Sequence, residues 1–324
     1  MTRPSIGRMT WESAYHAPVL AREVAELLGN ARHVLDGTLG GGGHALALLE
    51  RGARVTGIDR DPEAVREARS RLARFVGDGM FEAYLTNYAD LESIGALADA
   101  RFDGILLDLG VSSHQLDDER RGFTFRPGAT LDMRMGEDAT QTAADFLNTA
   151  PESELAWVFR EYGDERRAPR LGREVARRRA NRPFETSDDF VGAIRGALGA
   201  TSGPADFARL FQAVRIAIND ELAGLERALP MLREHLAPGG VLAVIAYHSG
   251  EDRLVKHAFR EWSTACTCPP KQPMCTCRGV ALGTLLTRRA ITATDDEIAS
   301  NARARSARLR AFQRATESAW PSAA

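Results

Sequence analysis

Three aspartates stand where a carboxylate could hold a ligand. Asp36 closes the apolar run "HVLDG", Asp59 closes "RVTGID", and Asp108 falls near the end of "FDGILLDLG". After Asp36 comes "GTLGGGGH", a glycine cluster whose bare backbone lets a cofactor approach closely. Gly40, Gly42 and Ala45 fit the loose G-x-G-x-x-G/A turn, and Asp59 lies about 20 residues on, where an acid reaches a ribose diol. That pattern admits a nicotinamide dinucleotide. Asp36 argues against it, because a carboxylate beside the loop repels a pyrophosphate and attracts an ammonium. S-adenosylmethionine has the parts the acids call for: a ribose diol for Asp59, an ammonium for Asp36, and no phosphate. The competing reading is that Asp36 and Asp108 merely cap turns.

The acids converge only if their strands are parallel neighbours. Four apolar runs, 33–37, 54–59, 81–87 and 102–110, alternate with "HALALLERG", "PEAVREARSRLARF" and a polar, small-residue segment, all of which read as helices. This alternation predicts an α/β protein with a doubly wound, Rossmann-like parallel sheet. The next strand, "GGVLAVIAYH" at 239–248, comes far later than a crossover requires. An insertion is therefore expected. The run 211–236 reads as the crossover helix, with Pro230 as a kink or break. The expected division is 1–111 with 211–324 as the sheet domain, and 112–210 as an inserted helical subdomain for substrate recognition. Within the insert, "SDDFVGAIRGAL" is expected to start with Ser187 as N-cap. A hairpin is expected in 279–298, followed by a basic, partly mobile tail.

The chain has 324 residues, a formal net charge of −2 and 44% hydrophobic residues, enough for one large core with a smaller module. No apolar run reaches the roughly 18–20 residues that span a bilayer, and the first twenty residues lack a cleavable apolar leader. The expectation is a soluble, cytoplasmic protein with no membrane partner. Near-neutral net charge does not exclude RNA, since clustering decides. Between Arg160 and Arg182 there are nine arginines against four acids, and 301–314 holds five more arginines. Either stretch could neutralise phosphate or be a solvated face of Glu–Arg pairs.

The motifs "DGTLGGGGH", "GIDRDP", "ILLDLGVSS", "RGFTFRPGATLDMRM", "EYGDERRA", "QAVRIAINDEL" and "YHSGEDRLVK" occur in one order over nearly the whole chain. In that order the sequence resembles the bacterial 16S ribosomal RNA cytosine-N4 methyltransferases, the ribosomal RNA small subunit methyltransferase H family. The resemblance implies S-adenosylmethionine as cofactor, held by Gly42, Gly43, His44, Asp59, Tyr88, Asp108 and Gln115. It implies a cytidine in the decoding region of 16S rRNA as substrate, within the small ribosomal subunit, and it leaves room for a homodimer. The chain departs from the family pattern at His114, commonly Pro, and at Gly250, commonly Leu.

An exocyclic cytosine amine is a poor nucleophile, so its enzyme must align it and accept its hydrogen bond as nitrogen becomes tetrahedral. Asp108 is the first candidate for that acceptor. His248, leaving the fifth strand at the same edge, is the second candidate catalytic residue, against the alternative of a buried, hydrogen-bonded histidine. Methylation at carbon 5 would need a cysteine at the strand edge. All four cysteines instead lie in "CTCPPKQPMCTC", as Cys266, Cys268, Cys275 and Cys277. Two C-x-C pairs could chelate zinc, but the spacing is not the common C-x2-C form, so no metal is expected.

Overall fold

The computed structural model describes residues 18–316 apart from 270, 271, 273, 275 and 278. Its strands are β1 (His33–Asp36), β2 (Arg54–Asp59), β3 (Phe81–Leu85), β4 (Phe102–Asp108), β5 (Leu236–Ala246), β6 (Gly283–Leu285) and β7 (Arg308–Arg314). They form one sheet in the order β3-β2-β1-β4-β5-β7-β6. The pairs from β3 across to β5 are parallel, and β7 runs antiparallel to both β5 and β6.

Helices α1 (Ala21–Leu27), α2 (Gly43–Leu49), α3 (Pro62–Arg71) and α4 (Ala73–Gly77) belong to the first half of the sheet unit. Then come α5 (Ser113–Asp117), α6 (Ala143–Thr149), α7 (Glu152–Glu161), α8 (Ala168–Arg179), α9 (Ser187–Leu198) and α10 (Pro204–Ile218). The last are α11 (Glu221–Glu234), α12 (Ser249–Trp262) and α13 (Asp295–Ser300). The chain divides into two compact units, 1–110 with 225–324, and 111–224.

The sheet is covered on both faces, as its apolar strands require. On β4, Leu106 packs with Val34, Ala243 and Ile245 against Leu48, Val65 and Leu72 of α2, α3 and the turn after it. Its neighbours Ile105 and Leu107 face the other way, onto Leu229 and Leu232 of α11 and Phe259 of α12. Asp61 caps α3 by accepting from Glu63 N at 3.0 Å, with Pro62 in the first turn, where a missing N–H costs nothing. The second unit has its own core, in which Phe159, Leu171, Phe190, Ile194 and Leu210 are fully buried.

Several expectations change. The segment between β3 and β4 is a short 3-10 helix, Tyr88–Ser93, followed by turns, not a full helix. The crossover run breaks at Asn219–Asp220, where Asp220 has φ +51°, and Pro230 sits inside α11. Asn219 explains the break: its Oδ1 accepts from Met135 N and its Nδ2 donates to Met133 O, both at 2.8 Å. The chain end of α10 is thereby tied to the loop of its own unit, and the second boundary falls at 224, not 210. Helix α9 is capped by Thr186, whose partner in the capping box is Asp189, and Ser187 is already helical. The basic tail is ordered through β7, where Leu309, Ala311 and Phe312 are fully buried. Its expected mobility is wrong for 308–314 because Arg310 donates to Asp252 at 2.6 and 3.1 Å and Arg314 to Glu234 at 3.2 Å, so the charges are answered internally. The hairpin expected within 279–298 is instead β6 against β7.

Candidate active site at the strand tips

β1, β2 and β4 end together, and their last residues are the three acids. The loop after β1 is pinned to both neighbouring strands: Gly37 N donates to Leu106 O at 2.9 Å and Leu39 N to Ile58 O at 3.0 Å. Gly37 has no room for a side chain, since a Cβ there would lie 2.6 Å from Leu107 Cδ2. Gly42, the N-cap of α2, has φ +73°, and a Cβ would also press on Leu72 at 3.0 Å. Gly43 opens α2 and His44 follows, both buried.

Asp59 accepts from Gly40 N at 2.8 Å and Asp61 N at 2.9 Å, one on each oxygen. Each oxygen keeps a second lone-pair direction, and the residue is not fully buried. Burial pushes its carboxyl up to about 6, against the pull of the two amide bonds. Asp36 lies deeper, 1% exposed; its Oδ1 accepts from Thr38 N at 3.3 Å and its Oδ2 has no hydrogen-bond partner among the described residues. Burial raises its pKa to about 7, opposed by His44 and reinforced by Asp108 and Asp59. A buried carboxylate oxygen left unanswered is costly, and it fits a cationic group or a water arriving with one.

Asp108 is held from three sides. Its backbone N–H donates to Thr38 Oγ1 at 2.6 Å, its Oδ1 accepts from Tyr247 OH at 2.8 Å, and its Oδ2 is 3.3 Å from His44 Nε2. Burial disfavours the His44 imidazolium, but Asp108 and Asp36 outweigh it and its pKa is raised. Burial and the Asp108 charge push the Tyr247 phenol well above its usual value, so it stays a donor.

Sequence reasoning missed Tyr247 and Thr38. The signal for Tyr247 was its place, one residue beyond β5, since Asp108 is in register with Ile245. His248 is the N-cap of α12, and its Nε2 is 3.1 Å from Glu251 Oε1. That approach is not a hydrogen bond, and Nε2 is buried with no hydrogen-bond partner among the described residues. Tyr88 starts the 3-10 helix after β3 and is half-buried, its Cβ near Gly37. Gln115 belongs to the 111–224 unit, where its Oε1 accepts from Ser112 N at 3.0 Å in the capping box of α5.

A seven-stranded sheet with an antiparallel β7 beside β5, a glycine turn after β1 and acids at the tips of β1, β2 and β4 defines an α/β methyltransferase of the S-adenosylmethionine-dependent class. The chain belongs to the MraW methylase family, whose model matches residues 13–315. Of the two cofactors the glycine pattern allows, a methylase takes the sulfonium one. The ribosomal RNA small subunit methyltransferase H of Gemmatimonas aurantiaca is 63% identical over 301 residues, covering 93% of this chain and 96% of the relative. The protein of the same description from Heliobacterium modesticaldum is 44% identical over 310 residues, covering 93% and 98%.

Proposed function

We propose that the protein methylates N4 of a cytidine in the decoding region of 16S rRNA, acting on RNA within the small ribosomal subunit in the cytoplasm. The relatives named for the small-subunit ribosomal RNA support the substrate class. The observation that carries the chemistry is Asp108, a carboxylate at the strand tip with one oxygen fixed by Tyr247. S-adenosylmethionine, when bound, supplies an electrophilic methyl on a sulfonium. Asp59 would hold the ribose diol with its spare lone pairs, and Asp36 Oδ2 would take the ammonium end, directly or through water. Tyr88 would cover the adenine, and the backbone at Gly42 and Gly43 would let the cofactor lie close.

Asp108 accepts the hydrogen bond of the target amine, which holds the nitrogen lone pair toward the methyl, and takes the proton that nitrogen sheds on alkylation. Tyr247 stops the carboxylate rotating away, and His44 adds positive potential at its other oxygen. His248 acts indirectly in this reading, as the cap that starts α12 next to Tyr247.

The 111–224 unit has features suited to RNA. A pocket of about 260 Å³ is lined by Val111, Phe123, Phe125, Phe211, Gln212 and Arg215 among others, which offers ring edges and an amide to a planar base. Arg170 and Arg173 are exposed on α8 and Arg166 is exposed in the turn before it, whereas Arg177 and Arg178 are bound to Glu174 at 2.8 and 2.7 Å. The exposed arginines of this stretch are the ones placed to meet phosphate.

The test is to incubate purified protein and labelled S-adenosylmethionine with small subunits, and separately with naked 16S rRNA, from cells lacking the gene, then separate the nucleosides by mass spectrometry. Label in an N4-methylcytidine derivative at one decoding-region site, on the subunit, is expected. Label at another nucleoside, or none while the cofactor still binds, would overturn the assignment.

A further inference from the structure

Between α12 and β6 the chain makes an excursion, 263–282, whose described residues have no helix or strand. Its ends are joined by Leu282 N donating to Trp262 O at 2.7 Å. It has little apolar filling of its own, and Met274 is 76% exposed. What the excursion does bring together is sulfur. The Sγ atoms of Cys266, Cys268 and Cys277 all lie within 4.8 Å of one another. Cys275 lies outside the described residues.

The distances discriminate between uses of these thiols. Cys277 Sγ is 3.8 Å from Cys266 Sγ. A disulfide would need about 2.05 Å. Thiolates set tetrahedrally around zinc at about 2.3 Å are about 3.8 Å apart, which the Cys266–Cys277 pair matches, while all three pairs stay within 4.8 Å. A second observation points the same way. Thr267 N, between Cys266 and Cys268, donates to Cys277 Sγ at 3.3 Å, and Thr276 N donates to Cys268 Sγ at 3.4 Å. Backbone amides aimed at sulfur favour the thiolate, the form that ligates metal. The two C-x-C elements thus each offer the amide between them to a sulfur of the other.

We propose that Cys266, Cys268 and Cys277 bind a zinc ion that fixes the 263–282 excursion against the end of α12. This departs from the expectation of no metal, which rested on the spacing differing from C-x2-C. Spacing along the chain matters less than the clustering that the turn achieves. On binding, each thiol gives up its proton and the cation neutralises the gathered charge, so affinity falls as pH drops. The site lies apart from the strand-tip acids in sequence and shares no residue with them, so its loss should leave cofactor binding intact.

The experiment is elemental analysis of the full-length protein, made in zinc-containing medium and purified without oxygen or chelating resin, together with the absorption spectrum after exchange with cobalt(II). About one zinc per chain is expected, with the intense visible bands of tetrahedral cobalt–thiolate coordination. Cys266→Ser and Cys277→Ser should each lose the metal and the bands, while binding S-adenosylmethionine as the unchanged protein does. Wild-type protein with less than about a tenth of an equivalent of zinc, and no cobalt–thiolate bands, would overturn the proposal. So would metal that survives both substitutions. Should the variants fail to fold, the wild-type metal content and cobalt spectrum still decide.

Discussion

Asp36 and Asp252 are both buried carboxylates of the sheet unit, one at the tip of β1 and the other in the first turn of α12 facing β7. Asp252 is answered by Arg310, which donates to both of its oxygens. Asp36 has an oxygen with no partner among the described residues, two further acids nearby, and a pKa raised to about 7. Evolution of a stable fold alone would favour the first arrangement everywhere, because a buried polar atom without a partner costs about 1–3 kcal/mol. The contrast teaches where binding energy is held in reserve: the closed pair fastens β7 to α12, and the open group awaits a cation.

The sharpest way to break this comparison is at Asp108. Asp108→Asn should lower single-turnover methyl transfer at saturating cofactor by about 10²–10⁴-fold, because the amide cannot take the proton. Tyr247→Phe should lower the rate less and move the pH–rate profile, as a positioning residue would; an unmoved profile would reduce Tyr247 to packing. Next is the closed pair. Arg310→Ala leaves the buried Asp252 with only the looser approach of Arg308 at 3.9 Å and should cost up to about 3–5 kcal/mol in a denaturant melt, whereas Arg310→Met with Asp252→Leu should recover most of it.

Asp36 gives a smaller, pH-dependent effect. Between about pH 4 and 7 its carboxyl is protonated in the folded chain and ionised in the unfolded one, so the folded state binds the extra proton. Stability should therefore fall as pH rises through that window, by at most about 1.4 kcal/mol per pH unit for this group. Asp36→Asn should flatten that slope in urea melts, leaving the part due to His44 and Asp59, whose pKa values are also raised. In calorimetry, S-adenosylmethionine should bind the wild type more tightly at pH 8 than at pH 6, and the variant should lose that difference. The smallest effect belongs to the exposed arginines. Arg170→Glu or Arg173→Glu should each reduce the slope of log affinity for RNA against log salt by about 1, with cofactor binding unchanged.

The strand-tip site was largely legible before the fold, since apolar runs ending in Asp36, Asp59 and Asp108 with glycines between them leave few other arrangements. Tyr247 was not, because its partner depends on the register of β5 beside β4, a long-range pairing that local pattern does not encode. β7 was hidden for a different reason: "RLRAFQR" reads as a basic tail until Asp252 and Glu234 are known to receive its arginines. The break in the crossover run was missed because α10 and α11 look like one amphipathic helix, and the side-chain bonds of Asn219 with the φ of Asp220 mark where they part. The clustering of Cys266, Cys268 and Cys277 was likewise not legible from their spacing along the chain.

The position of β7 in the sheet bears on how the protein is made. Strands β1 to β4 can pair as soon as β4 has been synthesised, but β5 then needs another neighbour that the ribosome delivers about seventy residues later. Until then one edge of β5 has unpaired backbone N–H and C=O groups and is a template for foreign strands. The tie from Leu20 N to Glu297 Oε1, across 277 positions, closes at the same late stage. Such separations make for slow folding. A chain stalled or cut before residue 308 would carry all three strand-tip acids and still present an open sheet, making aggregation and chaperone capture, not weakened catalysis, its first defect.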